Sequence, residues 1–297
     1  MQRFWLAMAV VGAVGTVSWA EERPMMSVSD ALALPQPEAQ YRVAYGSEPQ
    51  QFGELRLPEG AGPHPVAIVI HGGCWLADYD LGYVSSLAAA LAADGIATWS
   101  IEYRRVGDDG GGWPGTFDDV AAAADHLREI AADHALDLER VVAVGHSAGG
   151  HLALWLGARR GLSRNDGFRR EGPLVLSGVV SLAGIPDLAA FASSEGCGAA
   201  VPGLLGGQPT DHPERLGRVS PIEMVPLGIP QIQVIGGLDP IVPRAQADDY
   251  ATAAGDAGDR VGVKEIPSAG HFELVDPSCD AWSAVRSSVL EVLPSAD

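Results

Sequence analysis

Apolar residues along this chain gather in short runs that do not alternate with polar ones: Val66-Ala-Ile-Val-Ile70, Ile96–Ile101, Val141–Gly145, Leu176–Leu182, Ile232–Ile235 and Val261–Ile266. Runs of that length predict strands buried on both faces, as in a parallel sheet. Two β-prone stretches, Tyr41–Tyr45 and Phe52–Leu57, precede them. Between the runs lie Ala- and Leu-rich segments that predict helices over Leu81–Ala93, Thr116–Ala135, Gly149–Ala158, Pro243–Ala257 and Ala281–Leu293. Strand–helix alternation at this spacing means βαβ units, hence an α/β fold with a mostly parallel central sheet and helices on both faces. Residues 186–226 break the rhythm. They are rich in Gly, Pro and Asp, long for a connection, and predict a small cap insertion over the carboxyl ends of the strands.

The first residues follow a different pattern. Met1-Gln2-Arg3 carries one positive charge, Phe4 to Val17 is apolar or small, and Ser18-Trp19-Ala20 sets small residues before Glu21-Glu22. That reads as a secretory signal peptide over 1–20, cleaved near Ala20, which implies export to a periplasm or medium. The apolar run is shorter than the ~20 residues of a membrane-spanning helix, so no membrane attachment of the mature form is expected. Residues 21–39 read as a mobile segment ahead of a single domain over 40–297.

Composition narrows the partners. Nineteen Lys and Arg stand against 38 Asp and Glu, a formal charge of −19. Such an excess opposes phosphate backbones, so nucleic acid is not an expected partner. Of the three cysteines, Cys197 and Cys279 sit in polar, loop-like contexts and are the pair expected to bridge in an oxidising compartment. Cys74, beside Trp75, reads as small buried packing. The basic cluster Arg159, Arg160, Arg164, Arg169 and Arg170 reads as a solvated loop.

The candidate chemistry centres on Gly145-His146-Ser147-Ala148-Gly149, where a buried strand gives way to a helix. A turn that sharp strains its central residue and leaves no room for side chains two residues either side; glycines there lift the serine hydroxyl into the open. A serine needs a base, and His271, in Ser268-Ala-Gly-His-Phe272 after the last strand, is the candidate. The acid between them is Asp239, at the exit of the Ile232–Ile235 strand, where it would hold the His271 tautomer. Negative charge developing on a substrate carbonyl needs amide donors. The Ala148 N–H is one; Gly73 in His71-Gly-Gly-Cys-Trp75 is the favoured second, with Gly72 or Cys74 as alternatives and His71 bracing the loop. Cys74, Trp75 and His146 are candidate pocket residues, although core packing accounts for Trp75 equally well. No His-Glu-x-x-His or paired-cysteine spacing points to zinc, and no metal or cofactor is expected.

These residues resemble the α/β-hydrolase superfamily, in its HGG-type carboxylesterase, hormone-sensitive-lipase-like and kynurenine-formamidase-like branch. The likeness spans roughly residues 40–293. It is carried by His71-Gly-Gly-Cys-Trp75, Glu102-Tyr-Arg104, Trp113-Pro114, Asp119-Val120, Gly145 to His151, Asp239-Pro-Ile-Val-Pro243 and Gly270-His-Phe272. The resemblance implies a serine hydrolase of esters or amides working without metal or cofactor. Lipases of the branch often carry a third glycine after His-Gly-Gly; here Cys74-Trp75 follows, which is closer to the formamidase and small-ester side. Three functions are therefore open: an exported carboxylesterase on small acyl esters, acetylated sugars included; an arylformamidase-type amide hydrolase; and a non-catalytic binding module on the same fold.

Overall fold

The computed structural model describes residues 25–170 and 172–295; the leader expected over 1–20 lies outside the described residues. The apolar runs form one eight-stranded sheet. Its strands are β1 (Tyr41–Ala44), β2 (Phe52–Arg56), β3 (His64–Ile70), β4 (Ala97–Ile101), β5 (Leu136–His146), β6 (Gly178–Leu182), β7 (Gln231–Gly236) and β8 (Val261–Ile266). They lie in the order β1-β2-β4-β3-β5-β6-β7-β8. β1 pairs with β2 and β2 with β4 antiparallel; every later pairing is parallel. The nine helices described are α1 (Val28–Leu32), α2 (Ser85–Ala93), α3 (Gly115–Ile130), α4 (Ala148–Ala158), α5 (Leu188–Phe191), α6 (Val201–Leu205), α7 (Pro213–Val219), α8 (Ala245–Asp256) and α9 (Trp282–Val292).

β3 explains why the central runs do not alternate. Val66, Ile68 and Ile70 point into a core shared with Phe117 and Val120 of α3, Leu152 and Trp155 of α4, and Tyr250 of α8. Ala67 and Val69 point to the opposite face, against Leu87 and Leu91 of α2 and Val285 and Val289 of α9. Each strand face meets helices, so neither face can be polar. β8, at the edge of the sheet, is only half buried.

Boundaries differ from expectation where the chain must reverse. α3 stops at Ile130 and not at Ala135, because Ala135 takes a left-handed conformation (φ 47°). That turn feeds β5, which starts at Leu136, earlier than its apolar run, since Leu136 and Asp137 pair with His64 and Pro65.

Two segments lie outside the strand–helix rhythm. The insertion carries α5, α6, α7 and short 3₁₀ turns, and buries Leu188, Phe191, Leu204 and Val219 in the α3–α4 core. α4 fastens it by side chains: His151 Nε2–H donates to Val219 O (2.7 Å) and Trp155 Nε1–H to Arg218 O (3.0 Å). At the other end, the stretch that reads as mobile carries α1. Its N-cap Ser27 and Asp30 form a capping box, and Ala31 is buried.

The basic cluster is not uniformly solvated. Arg159 is fully buried and donates through Nη1 and Nη2 to both oxygens of Asp125 (3.0 and 2.5 Å), while Leu174 N–H donates to the same carboxylate (2.8 Å). Burial opposes the Asp125 charge, but Arg159 and the Leu174 amide hold its carboxyl below the usual range. Removing one partner of a buried pair strands the other, at a cost of about 3–5 kcal/mol. Asp125→Ala should therefore lower unfolding stability in urea by about that amount, whereas Arg160→Ala, at an exposed neighbour, should change it by less than about 0.5 kcal/mol. Equal effects would contradict the buried pairing.

Candidate active site

β5 ends at His146 and α4 begins at Ala148, which leaves Ser147 alone at the turn with φ 55° and ψ −120°. A β-carbon at Gly145 would lie 2.0 Å from Gly149 O, and one at Gly149 would lie 2.1 Å from Ile70 O. Only glycine fits either position, so the glycines permit the turn and the turn presents the serine. The Ser147 N–H donates to Leu182 O of β6 (2.8 Å), which pins the strained residue to the sheet.

The loops after β7 and β8 are joined to each other. Gly237 N–H donates to Ile266 O and Leu238 N–H to Ala269 O, each at 2.9 Å. A β-carbon on Gly236 would lie 2.1 Å from Gly270 O. This brings Asp239 and His271 together: His271 Nδ1–H donates to Asp239 Oδ2 (2.7 Å). The other carboxylate oxygen accepts the N–H groups of Ile241 (2.7 Å) and Val242 (3.0 Å). Burial works against the Asp239 charge, but the His271 N–H, its positive potential and the two amides hold the carboxyl below its ordinary value. Asp239 thus fixes the tautomer that leaves His271 Nε2 as the acceptor.

Behind this pair lies a chain of hydrogen bonds. His146 is buried, and burial together with the nearby His271 pushes its pKa down to about 3, so it is neutral. Its Nε2–H donates to His271 O (3.0 Å). Its bare Nδ1 accepts the Tyr83 hydroxyl proton (3.2 Å), and the Tyr83 oxygen accepts the Gly72 N–H. These partners assign the tautomer. Gly72 is therefore withdrawn from the candidate oxyanion donors, because its amide is spent on Tyr83. Ala148 opens α4, where an amide has no intrahelical acceptor, and Gly73 stands in the cavity wall.

The loop carrying Gly73 has three consecutive residues at positive φ: Gly73 (91°), Cys74 (53°) and Trp75 (58°). His71 braces it as expected, with Nδ1 against Gly72 O (3.0 Å), Nε2 against Glu102 Oε1 (2.9 Å) and its ring stacked on Tyr103. Trp75 is not a pocket residue. It is fully buried, and its indole N–H donates to His151 Nδ1 (3.2 Å). His151 is neutral as well, burial pushing its pKa down to about 4.

The disulfide differs from expectation. Cys197 bridges to Cys74, with their Cα atoms 5.2 Å apart, while the Cys279 sulfur lies 3.3 Å from Asp276 Oδ2 and 3.9 Å from Met26 Sδ. The crosslink joins the glycine loop to the insertion. No local feature of either cysteine betrays this, because the proximity comes from how the insertion lies over the strand ends.

Ser147, His271, Gly73, Cys74 and His146 all line one cavity of about 190 Å³. Its remaining walls are Tyr79, Tyr83, Ile241, Phe272, Cys197 and three residues of α1: Val28, Ala31 and Leu32. Sequence reasoning missed α1; the only trace of it is the Ser27–Asp30 capping pattern ahead of alternating Ala and Leu. Among the described residues, no group of three or more His, Cys, Asp or Glu side chains could hold a metal ion, and no helix is long and apolar enough to cross a membrane.

Residues 54–253 match the BD-FAE family. The chain belongs to that family. Esterase LipC of Mycobacterium tuberculosis is 29% identical over 279 residues, which cover 88% of this chain and 66% of the relative. Esterase LipQ of the same organism is 30% identical over 221 residues, covering 71% of this chain and 51% of the relative. The chain thus spans from about half to just under two thirds of the length of these two proteins. A truncated carbohydrate esterase from gut microbiota superposes with a TM-score of 0.72 at 23% identity, covering 84% of this chain and 94% of that one. With that likeness and its mostly parallel sheet, this member of the BD-FAE family has the α/β-hydrolase fold.

Two predictions come from this geometry. Mass spectrometry of the unreduced protein should recover the Cys74–Cys197 peptide pair, and its reduction should lower stability by about 2–4 kcal/mol; recovery of Cys197–Cys279 would contradict the arrangement. The buried histidines set an acid limit. An unfolded histidine takes its proton near 6.5, whereas His146 and His151 refuse theirs until about 3 and about 4. The unfolded chain therefore binds more protons in that window, so stability falls as pH drops from about 6.5 toward 4, by up to ~1.4 kcal/mol per pH unit for each ring. His151→Gln should flatten part of that slope in urea titrations at about pH 6 and about pH 5, and an unchanged slope would count against a neutral buried ring.

Proposed function

We propose that the protein is a serine carboxylic-ester hydrolase that cleaves small acyl esters through an acyl-enzyme on Ser147. The observation that carries this reading is the 2.7 Å His271–Asp239 contact in the same cavity wall as a serine at a strained strand-to-helix turn. In the proposed reaction, His271 Nε2 takes the Ser147 proton as the hydroxyl oxygen attacks the ester carbonyl. The amides of Gly73 and Ala148 hold the oxyanion, and Asp239 stabilises the imidazolium. The tetrahedral species collapses, His271 returns the proton to the leaving alcohol, and water repeats the two steps on the acyl-enzyme to release the acid. Similarity to two esterases supports the ester over the amide. The cavity, at about 190 Å³, is small against the ~300–1,000 Å³ of drug-sized sites, which favours short acyl groups.

Export belongs to the same proposal. A disulfide persists in an oxidising compartment, and the pattern of residues 1–20 is that of a leader.

The experiment compares kcat/KM on p-nitrophenyl acetate and on N-formylkynurenine for the wild type, Ser147→Ala and Asp239→Asn. Ester turnover is expected, with kcat lower by about 10⁴-fold or more in both variants. Undiminished ester turnover in Ser147→Ala would overturn the proposal, and preferential formamide turnover would move it to the arylformamidase type.

A further inference from the structure

The sequence predicts a cap from the insertion over 186–226, yet from that whole stretch only Cys197 reaches the cavity wall. α1 contributes three residues to the same wall. Val28, Ala31 and Leu32 are spaced i, i+3, i+4, so they share one helix face, and all three line the cavity that holds Ser147 and His271.

This short helix is held in place by bonds at both ends. Glu273, two residues after His271, accepts Met26 N–H through Oε1 (2.6 Å) and Gly270 N–H through Oε2 (3.0 Å). One carboxylate thus binds the strap to the loop that carries the base. Beyond α1, Ser86 Oγ–H donates to Pro35 O (2.5 Å) and Arg56 Nη2–H to Pro37 O (2.7 Å). The face is only partly covered: Ala31 is 1% exposed, but Val28 and Leu32 are 40% and 44% exposed. Those two side chains occupy space at the cavity, and their bulk limits the room left for a hydrocarbon chain beside Ser147.

We infer that α1 is the specificity-determining wall of the site, with Val28, Ala31 and Leu32 setting the length of acyl chain accepted beside Ser147. The inference rests on the ester-hydrolase reading, in which the acyl group is transferred to Ser147 in the first half-reaction and released from it to water in the second, so both steps take place with the acyl chain in this cavity. The rest of the lining, with Ile241, Phe272 and the Cys74–Cys197 bridge, belongs to loops that also carry Asp239, His271 and Gly73. It cannot be reshaped without moving the chemistry, whereas α1 supplies no reacting group.

The test uses the full chain and Leu32, whose exposure tolerates replacement. kcat/KM is measured on p-nitrophenyl acetate, butyrate, hexanoate and octanoate for the wild type, Leu32→Ala and Leu32→Trp, with Ser147 counted by fluorophosphonate titration. Leu32→Ala should raise the hexanoate-to-acetate ratio and Leu32→Trp should lower it, each by about tenfold, with the titratable serine unchanged. A ratio that stays put in both variants, while ester turnover and titration match the wild type, overturns the α1 wall and leaves the esterase reading intact. Absence of ester turnover and of Ser147 labelling in the wild type overturns both.

Discussion

The rest of the site depends on how closely α4 approaches the sheet. Two glycines bracket Ser147, and a β-carbon on either would meet backbone oxygen at about 2 Å, from Gly149 itself or from Ile70 of β3. The helix therefore packs its first turn directly on the ends of β3 and β5, closer than any other residue type allows. Since α4 is rigid and its origin is fixed, everything one turn further on is fixed as well. His151 is that next turn, and it receives the Trp75 indole N–H on one side and gives its own proton to Val219 on the other. The glycine loop and the insertion are thus both referred to the helix that begins at the serine.

The second organising feature is the use of neutral histidines as rigid spacers. His146 and His151 are desolvated far enough to stay uncharged, and each satisfies both ring nitrogens with one donor and one acceptor. A buried ring left half-satisfied would cost about 1–3 kcal/mol. Fully paired, it transmits direction: Gly72 to Tyr83 to His146 to the His271 carbonyl is an unbroken series. That series runs between the loop after β3 and the loop after β8, which lie apart in sequence and on different strands. The same desolvation makes these rings the acid-sensitive part of the fold.

What could be read from sequence divides along physical lines. β3 to β7 were legible because each is clad on both faces, and the apolar runs record that directly. The position of Ser147 at a strand-to-helix turn and the meeting of Asp239 with His271 were legible because strand–turn–helix context and chain order constrain those positions. Apart from α1 and the end of α3, the failures are non-local. Cys74 and Cys197 are 123 residues apart, and only the path of the insertion brings them together. Trp75 follows the glycines like a pocket residue, but its left-handed backbone turns the indole inward toward His151. Gly72 and Gly73 are indistinguishable as letters; what separates them is the Tyr83 hydroxyl, which arrives from the turn ahead of α2. Arg159 looked like its exposed neighbours until Asp125 of α3 was seen to face it.

The two segments that break the strand–helix rhythm end up with different work. The insertion contributes a single cysteine to the cavity, and its other buried residues go into the α3–α4 core, so most of it stabilises the body of the protein. α1 buries one alanine and leaves a valine and a leucine half open beside the serine. That asymmetry follows from what each is attached to. A covalent bridge to the strained glycine loop ties the insertion to the segment that carries Gly73, and any change there risks moving Gly73. The strap is held by hydrogen bonds to Glu273, Ser86 and Arg56, none of which carries a proposed chemical step. In the proposed reading the reacting groups stand on the loops at the sheet ends, and α1 adds a wall that carries none of them and is joined to the His271 loop through the Glu273 carboxylate.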